Sequence, residues 1–181
     1  MKATLAPLYR VIEILDDELA AADDRFAAIA AGDPALMRLT TLPGIGPITA
    51  SAFVAALDDA ARFRGARQVT SYLGLVPVEY SSGERQRRGR ILRSAHPHLQ
   101  SLLVQAAWRM WKSSRADTAA LRSWAQNIAR RRGKKIATVA LARRLARILF
   151  GMWRDQTEYQ PARVNSRPLG SAHAACTLTT T

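Results

Sequence analysis

A single cysteine, Cys176, occurs in 181 residues, which excludes an intrachain disulfide and a thiolate metal site and fits a reducing cytosol. Long apolar runs are missing too: no stretch approaches the roughly 18–20 residues needed to span a bilayer, and Met1-Lys2-Ala3-Thr4 opens no signal-peptide pattern. The expectation is a soluble, cytoplasmic protein without a membrane partner. Histidine is scarce, and His96 and His98, on either side of Pro97, have no further ligand at a useful spacing. Acids are few, 14 against 27 Lys and Arg. Asp16, Asp17, Glu18, Asp23 and Asp24 fall on the outer faces of one helix and later acids are scattered, so no carboxylate set for a divalent ion can be assembled. No metal site and no cofactor are expected within the chain, and no internal repeat is present.

What is present is positive charge, unevenly spread. The net charge is +13 and the pI near 11.2, more than solubility requires, which points to a polyanion. Residues 1–61 are net −5 and residues 62–181 net +18, so two functional halves are implied. At 48% apolar composition the chain can bury roughly 70% of its unfolded surface as one domain plus an extension.

Leu5, Leu8, Ile12, Leu15, Leu19, Ala22, Phe26 and Ile29 alternate spacings of three and four, a 3.5-residue repeat that predicts a coiled coil over residues 1–31. The alternative is an amphipathic helix lying on its own domain. Ala31-Gly32-Asp33-Pro34 ends it, with Asp-Pro serving as N-cap and first residue of the next helix. A short helix from Ala35 to Leu42, the turn Pro43-Gly44-Ile45-Gly46, and a helix from Pro47 through Leu57 read as a helix-hairpin-helix. Its glycines allow a tight turn and expose N–H groups at the start of the second helix, where an anion is favoured. Gly44, Ile45 and Gly46 are therefore candidates for a DNA phosphate, against the plainer reading of an interhelical turn with no ligand. Such a contact positions DNA and reads no sequence.

Asp58 to Phe63 reads as a loop, and Ala66 to Leu73 as a helix closed by Gly74. Between Leu75 and Ile91, Pro77, Gly83 and Gly89 argue against helix while Val76, Val78 and Tyr80 alternate as a strand does, so a short β-like insertion or an extended loop is expected. It carries Ser81, Ser82, Arg85, Arg87, Arg88 and Arg90, with Arg93 just beyond. A serine attacking a phosphodiester needs its proton removed and the phosphoryl charge stabilised, and planar guanidinium forks suit the second task. The competing reading makes Ser-Ser-Gly a turn and the arginines a solvated backbone-binding patch, and no general base is identifiable. Three further helices are expected: one from Pro97 with Leu99, Leu102, Leu103, Ala106 and Met110 inward; one capped by Asp117 with Leu121, Trp124 and Ile128 inward; and one from Lys134 to about Arg154 with Ala137, Leu141, Leu145, Ile148 and Met152 on one stripe. Trp108, Trp111, Trp124 and Trp153 read as core more readily than as base-stacking platforms. Residues 160–181, rich in Ser, Thr, Ala and Pro, read as a disordered tail.

Five blocks occur in order: Leu42-Pro43-Gly44-Ile45-Gly46, Arg62-Phe63, Leu73-Gly74-Leu75-Val76-Pro77, Tyr80-Ser81-Ser82-Gly83 and Leu102-Leu103-Val104-Gln105-Ala106-Ala107. Together they resemble the C-terminal transposase domain of the insertion-sequence 110 family over roughly residues 36–125. The resemblance implies a recombinase with an N-terminal RuvC-like domain bearing four metal-binding carboxylates, a coiled-coil connector and this helical domain, assembling as a multimer on DNA with a structured guide RNA. It implies that Ser82, with Ser81 as fallback, joins DNA covalently, and that Mg2+ belongs only to the RuvC-like part, which this chain does not carry. Ala95-His96-Pro97-His98-Leu99-Gln100 departs from the family's usual glycine turn and Leu-Arg at this point.

The expected architecture is mainly α: a coiled-coil connector helix at 1–31, a helical domain with helix-hairpin-helix and β-like insertion at 33–159, and a tail at 160–181. The expected function is DNA binding and strand transfer in transposition by serine attack, incomplete and inactive alone, with homo- or hetero-oligomers through the N-terminal coil. The alternative is a non-catalytic nucleic-acid-binding remnant that modulates a full-length partner.

Overall fold

The computed structural model describes residues 2–82, 85–91 and 96–161, with side chains for 5–76 and 96–161; the fold is mainly helical. Helix α1, Lys2–Ala31, is about 45 Å long at 1.5 Å per residue. Only its C-terminal part is anchored, where it packs on α2 and α3 and buries Ala30. Leu5, Leu8, Ile12, Leu15, Leu19, Phe26 and Ile29 are 45–66% exposed, so the apolar stripe is not laid on the chain's own domain.

Asp33 ends the connection by accepting a bond from the Ala35 N–H at 2.7 Å, and Pro34 supplies the first residue of α2, Pro34–Thr40. Helix α3 runs Pro47–Leu57 and buries Thr49, Ala50, Phe53 and Leu57. The segment expected as a loop after it contains a 3-10 turn, Ala60–Arg62, capped by Asp59 through a 2.8 Å bond from the Ala61 N–H. The same aspartate chemistry that opens α2 creates it. Helix α4, Ala66–Tyr72, ends in a paired closure: Gly74 (φ +65°) donates to the Ser71 carbonyl at 3.0 Å, and Leu75 donates to Thr70 at 2.9 Å.

That closure aims the chain into strand β1, Pro77–Ser82, which pairs antiparallel with β2, Arg85–Ile91. Ser82 stands opposite Arg85, Ser81 opposite Gln86, Tyr80 opposite Arg87 and Glu79 opposite Arg88, with a bulge between Pro77 and Glu79. Helix α5, Pro97–Lys112, buries Leu99, Leu103, Ala106, Ala107 and Met110. After a 3-10 turn at Ala116–Thr118 come α6, Ala119–Arg132, and α7, Lys134–Arg154, separated by Gly133 alone at φ +82°.

Asp117 does not cap α6. Its carboxylate is held by Arg115 at 2.7 Å, a charge-assisted pair two residues away, and Thr118 takes the capping position without a side-chain bond. Inward on α6 are Leu121 and Ala125, while Trp124 packs half-buried against the core.

Helix α7 is the centre of the molecule, packing against α2, α4, α5 and α6. Of its expected stripe, Ala137, Leu141, Leu145 and Met152 are buried and Ile148 is partly so; Thr138, Ala142, Ala146, Leu149 and Phe150 are buried too. The stripe is wider than one face because helices cover α7 on several sides. Edge-to-face contacts of Phe63 with Phe150 (6.3 Å) and of Phe53 with Trp153 (6.3 Å) complete the core. The chain then returns along α2, where the Tyr159 N–H donates to Thr41 Oγ1 at 3.0 Å and its hydroxyl to the Asp117 carbonyl at 3.2 Å. Nearly all of the expected tail lies outside the described residues.

Candidate nucleic-acid interface

The link between α2 and α3 is tight because its backbone closes on itself. Leu42 donates to the Leu39 carbonyl at 3.2 Å and Ile45 to Leu42 at 3.1 Å. Leu42, Pro43 and Ile45 are buried, so the turn is pinned from beneath. Gly44 sits at φ +87°, and a Cβ there would lie 3.4 Å from the Ala106 carbonyl of α5. Gly46 is the N-cap of α3, Pro47 follows, and no side chain caps the helix. The Ile45 side chain faces the core and its N–H is taken by Leu42, so Gly44 and Gly46 are the turn residues with backbone to offer.

Two open clefts flank the turn. One, of about 560 Å³, is lined by Gly44, Gly46 and Thr49 together with Gln105 and Arg109 of α5 and Asp23 and Asp24 of α1. The other, of about 320 Å³, is lined by Gly44 to Gly46, Arg109, Ser113 and Arg115. Arg109 therefore borders both. Sequence reading missed it, because the turn recruits it through the Gly44–Ala106 approach, a contact across the fold that carries no local pattern. Asp23 and Asp24 share the lining of the larger cleft with Arg109.

A second set of cations gathers on α7 beside α4. Arg143 donates from Nε to the Leu75 carbonyl at 2.7 Å, fixing the root from which β1 departs. Burial holds the Arg147 guanidinium below its usual range, and the positive charge of Arg67 adds to the effect. Burial likewise lowers Arg144, partly offset by Tyr159 and reinforced by Arg147. The Arg144 guanidinium lies 4.5 Å from the centre of the Trp124 ring.

Ser81 and Ser82 end β1, and Arg85, Arg87, Arg88 and Arg90 lie along β2. The side chains of these six, and Gly83, Glu84 and Arg93 altogether, lie outside the described residues. Among the described residues no group of three His, Cys, Asp or Glu is gathered as a metal site, and none of the described helices is long and apolar enough to cross a membrane.

Residues 36–125 match the Transposase IS116/IS110/IS902 family. A probable family 20 transposase of Pseudomonas aeruginosa is 36% identical over 163 residues, covering 86% of this chain and 48% of that protein. The transposase for insertion sequence element IS1111A of Coxiella burnetii is 28% identical over 160 residues, 88% of this chain and 44% of that one. An uncharacterized 43.6 kDa protein of insertion element IS110 in Streptomyces coelicolor is 30% identical over 67% of this chain and 29% of its own. The chain thus spans about half, or less, of the length of these curated relatives. With its block order, its glycine turn and this match in agreement, the chain belongs to the IS116/IS110/IS902 family of insertion-sequence transposases.

Proposed function

We propose that this domain binds DNA during transposition and presents Ser82 to a scissile phosphodiester. What supports the reading is the family match together with the Gly44–Gly46 turn, whose uncapped helix start opens between two clefts bordered by Arg109. In this reading the turn is a helix-hairpin-helix: its amides and Arg109 hold one backbone phosphate, which fixes the duplex without reading its sequence. Ser82, with Ser81 as fallback, attacks phosphorus. The Oγ–P bond forms, the bond from phosphorus to the departing deoxyribose oxygen breaks, the hydroxyl proton passes to solvent and the departing oxygen takes one up. Arg85, Arg87, Arg88, Arg90 and Arg93 neutralise the phosphoryl oxygens as charge builds. The exposed stripe of α1 forms a coiled coil with a second copy and so brings two such domains to one DNA.

The test uses end-labelled element DNA mixed with the purified chain, alone and with a separately supplied RuvC-like domain. A protein–DNA adduct that resists denaturation and disappears in Ser82→Ala is expected. Salt-sensitive binding with no adduct in either mixture would instead make the chain a non-catalytic DNA-binding modulator.

A further inference from the structure

Residues 118–154 contain ten cations and no acid, and five of the ten crowd one corner. Arg130, Arg131 and Arg132 form the last turn of α6, Lys134 and Lys135 open α7, and Gly133 alone separates them. All five are exposed. The arginines complement the dipole at the end of α6, but the two lysines stand at a helix start, where the dipole disfavours positive charge. Helix stability therefore does not explain them. No acid on either helix answers the cluster, and an external polyanion would.

Geometry narrows the partner. The Lys134 ammonium lies 5.4 Å from the centre of the Trp108 ring and 5.6 Å from that of Trp111, and the Trp111 indole N–H is bonded to Thr138 Oγ1 at 2.9 Å. Lys134 sits over both rings and the Trp111 indole is tied to Thr138, so only Trp108, 38% exposed, has a face to offer an unpaired base, and one ring is short of the run of platforms that single strands use. A duplex read by its backbone is favoured. The corner also lies on the far side of α5 from the glycine turn, since Ala106 faces Gly44 while Trp108 and Trp111 face Lys134, with Arg109 and Lys112 in the same last turns of α5.

We propose that the α6–α7 corner is a second contact for duplex DNA, holding its sugar-phosphate backbone on the other side of α5 from the Gly44–Gly46 turn. It rests on the reading of that turn as a DNA contact. The test is anisotropy of a labelled duplex across a salt series, with the chain in which Arg130, Arg131, Arg132, Lys134 and Lys135 are all alanine, and with Lys134→Gln/Lys135→Gln, which leaves α6 whole. The five-fold variant is expected to bind about 10- to 100-fold more weakly, and its plot of log affinity against log salt to be shallower by about 2–4 units. The double variant should be shallower by about 1–2 units and melt close to the parent, relief of positive charge at the start of α7 offsetting the lost Lys134 contact with Trp108 and Trp111. Wild-type affinity and slope in both variants, with binding weakened in Arg109→Ala, would overturn the corner while leaving the turn in place. Loss of binding to a folded RNA alone, with the duplex unaffected, would also overturn it. No duplex binding by the parent chain would remove the proposed function itself.

Discussion

Gly44 carries a requirement that its neighbour Gly46 does not share. At φ +87°, with the Ala106 carbonyl 3.4 Å from where a Cβ would stand, Gly44→Ala should cost about 1–2 kcal/mol from the left-handed backbone alone, with a further cost from crowding α5. Gly46→Ala meets nothing within 4 Å at an ordinary φ of −99°, so its loss should be confined to the poorer N-cap that alanine makes and be smaller than that of Gly44→Ala. Equal losses for the two variants in thermal melts would contradict this account of the turn. Both glycines were legible in the sequence, because a Pro-Gly-Ile-Gly-Pro run between apolar periodic segments has few other uses. Arg109 was not, since its place beside the turn follows from how α5 crosses it. Asp117 was misread for a related reason: a good capping residue was present, and a closer guanidinium, Arg115, took its carboxylate.

At the scale of elements, periodicity located the helices well. The 3.5-residue repeat became α1, Lys134 to Arg154 became α7 with those bounds, and Asp33-Pro34 opened α2. Less legible was which neighbour each apolar face would meet, because that depends on contacts distant in sequence. The stripe of α1 looks on paper like that of any packed helix, yet it stands in the open, whereas α7 is enclosed more broadly than a single stripe suggests. For α1 the consequence is measurable. Ile12→Lys combined with Leu15→Lys places two charges on the exposed part of the stripe, N-terminal to where α1 packs on α2 and α3, so the melting temperature should be nearly unchanged while self-association in sedimentation velocity is abolished. A parent chain that sediments as a monomer at high concentration would contradict the coil.

At the scale of the whole molecule, the closing contact is made by Tyr159, which joins the end of the fold to both Thr41 and Asp117. Burial raises its phenol above the usual 10.0, the charge of Asp117 raises it further, and Arg144 opposes the rise. A group whose proton is held more tightly in the folded chain contributes stability that is intact below the free phenol's 10.0 and is lost as pH climbs through the raised value. Urea midpoints should therefore fall more steeply above pH 10.0 for the parent than for Tyr159→Phe; parallel declines would show that Tyr159 is not the titrating clamp. Charge asymmetry between the two halves was plain from the sequence, but this strap was not, because nothing local distinguishes Tyr159 from a residue of an unstructured end. The junction at Gly133 has a consequence of another kind. With one residue joining α6 to α7, there is no slack: an amino acid inserted at Gly133 would change the single backbone bend, at φ +82°, that sets α7 against α6, and so displace its nine buried side chains from the rest of the interior. Length variation should therefore be rejected there and accepted at exposed Ser114 and Arg115, between α5 and the second 3-10 turn.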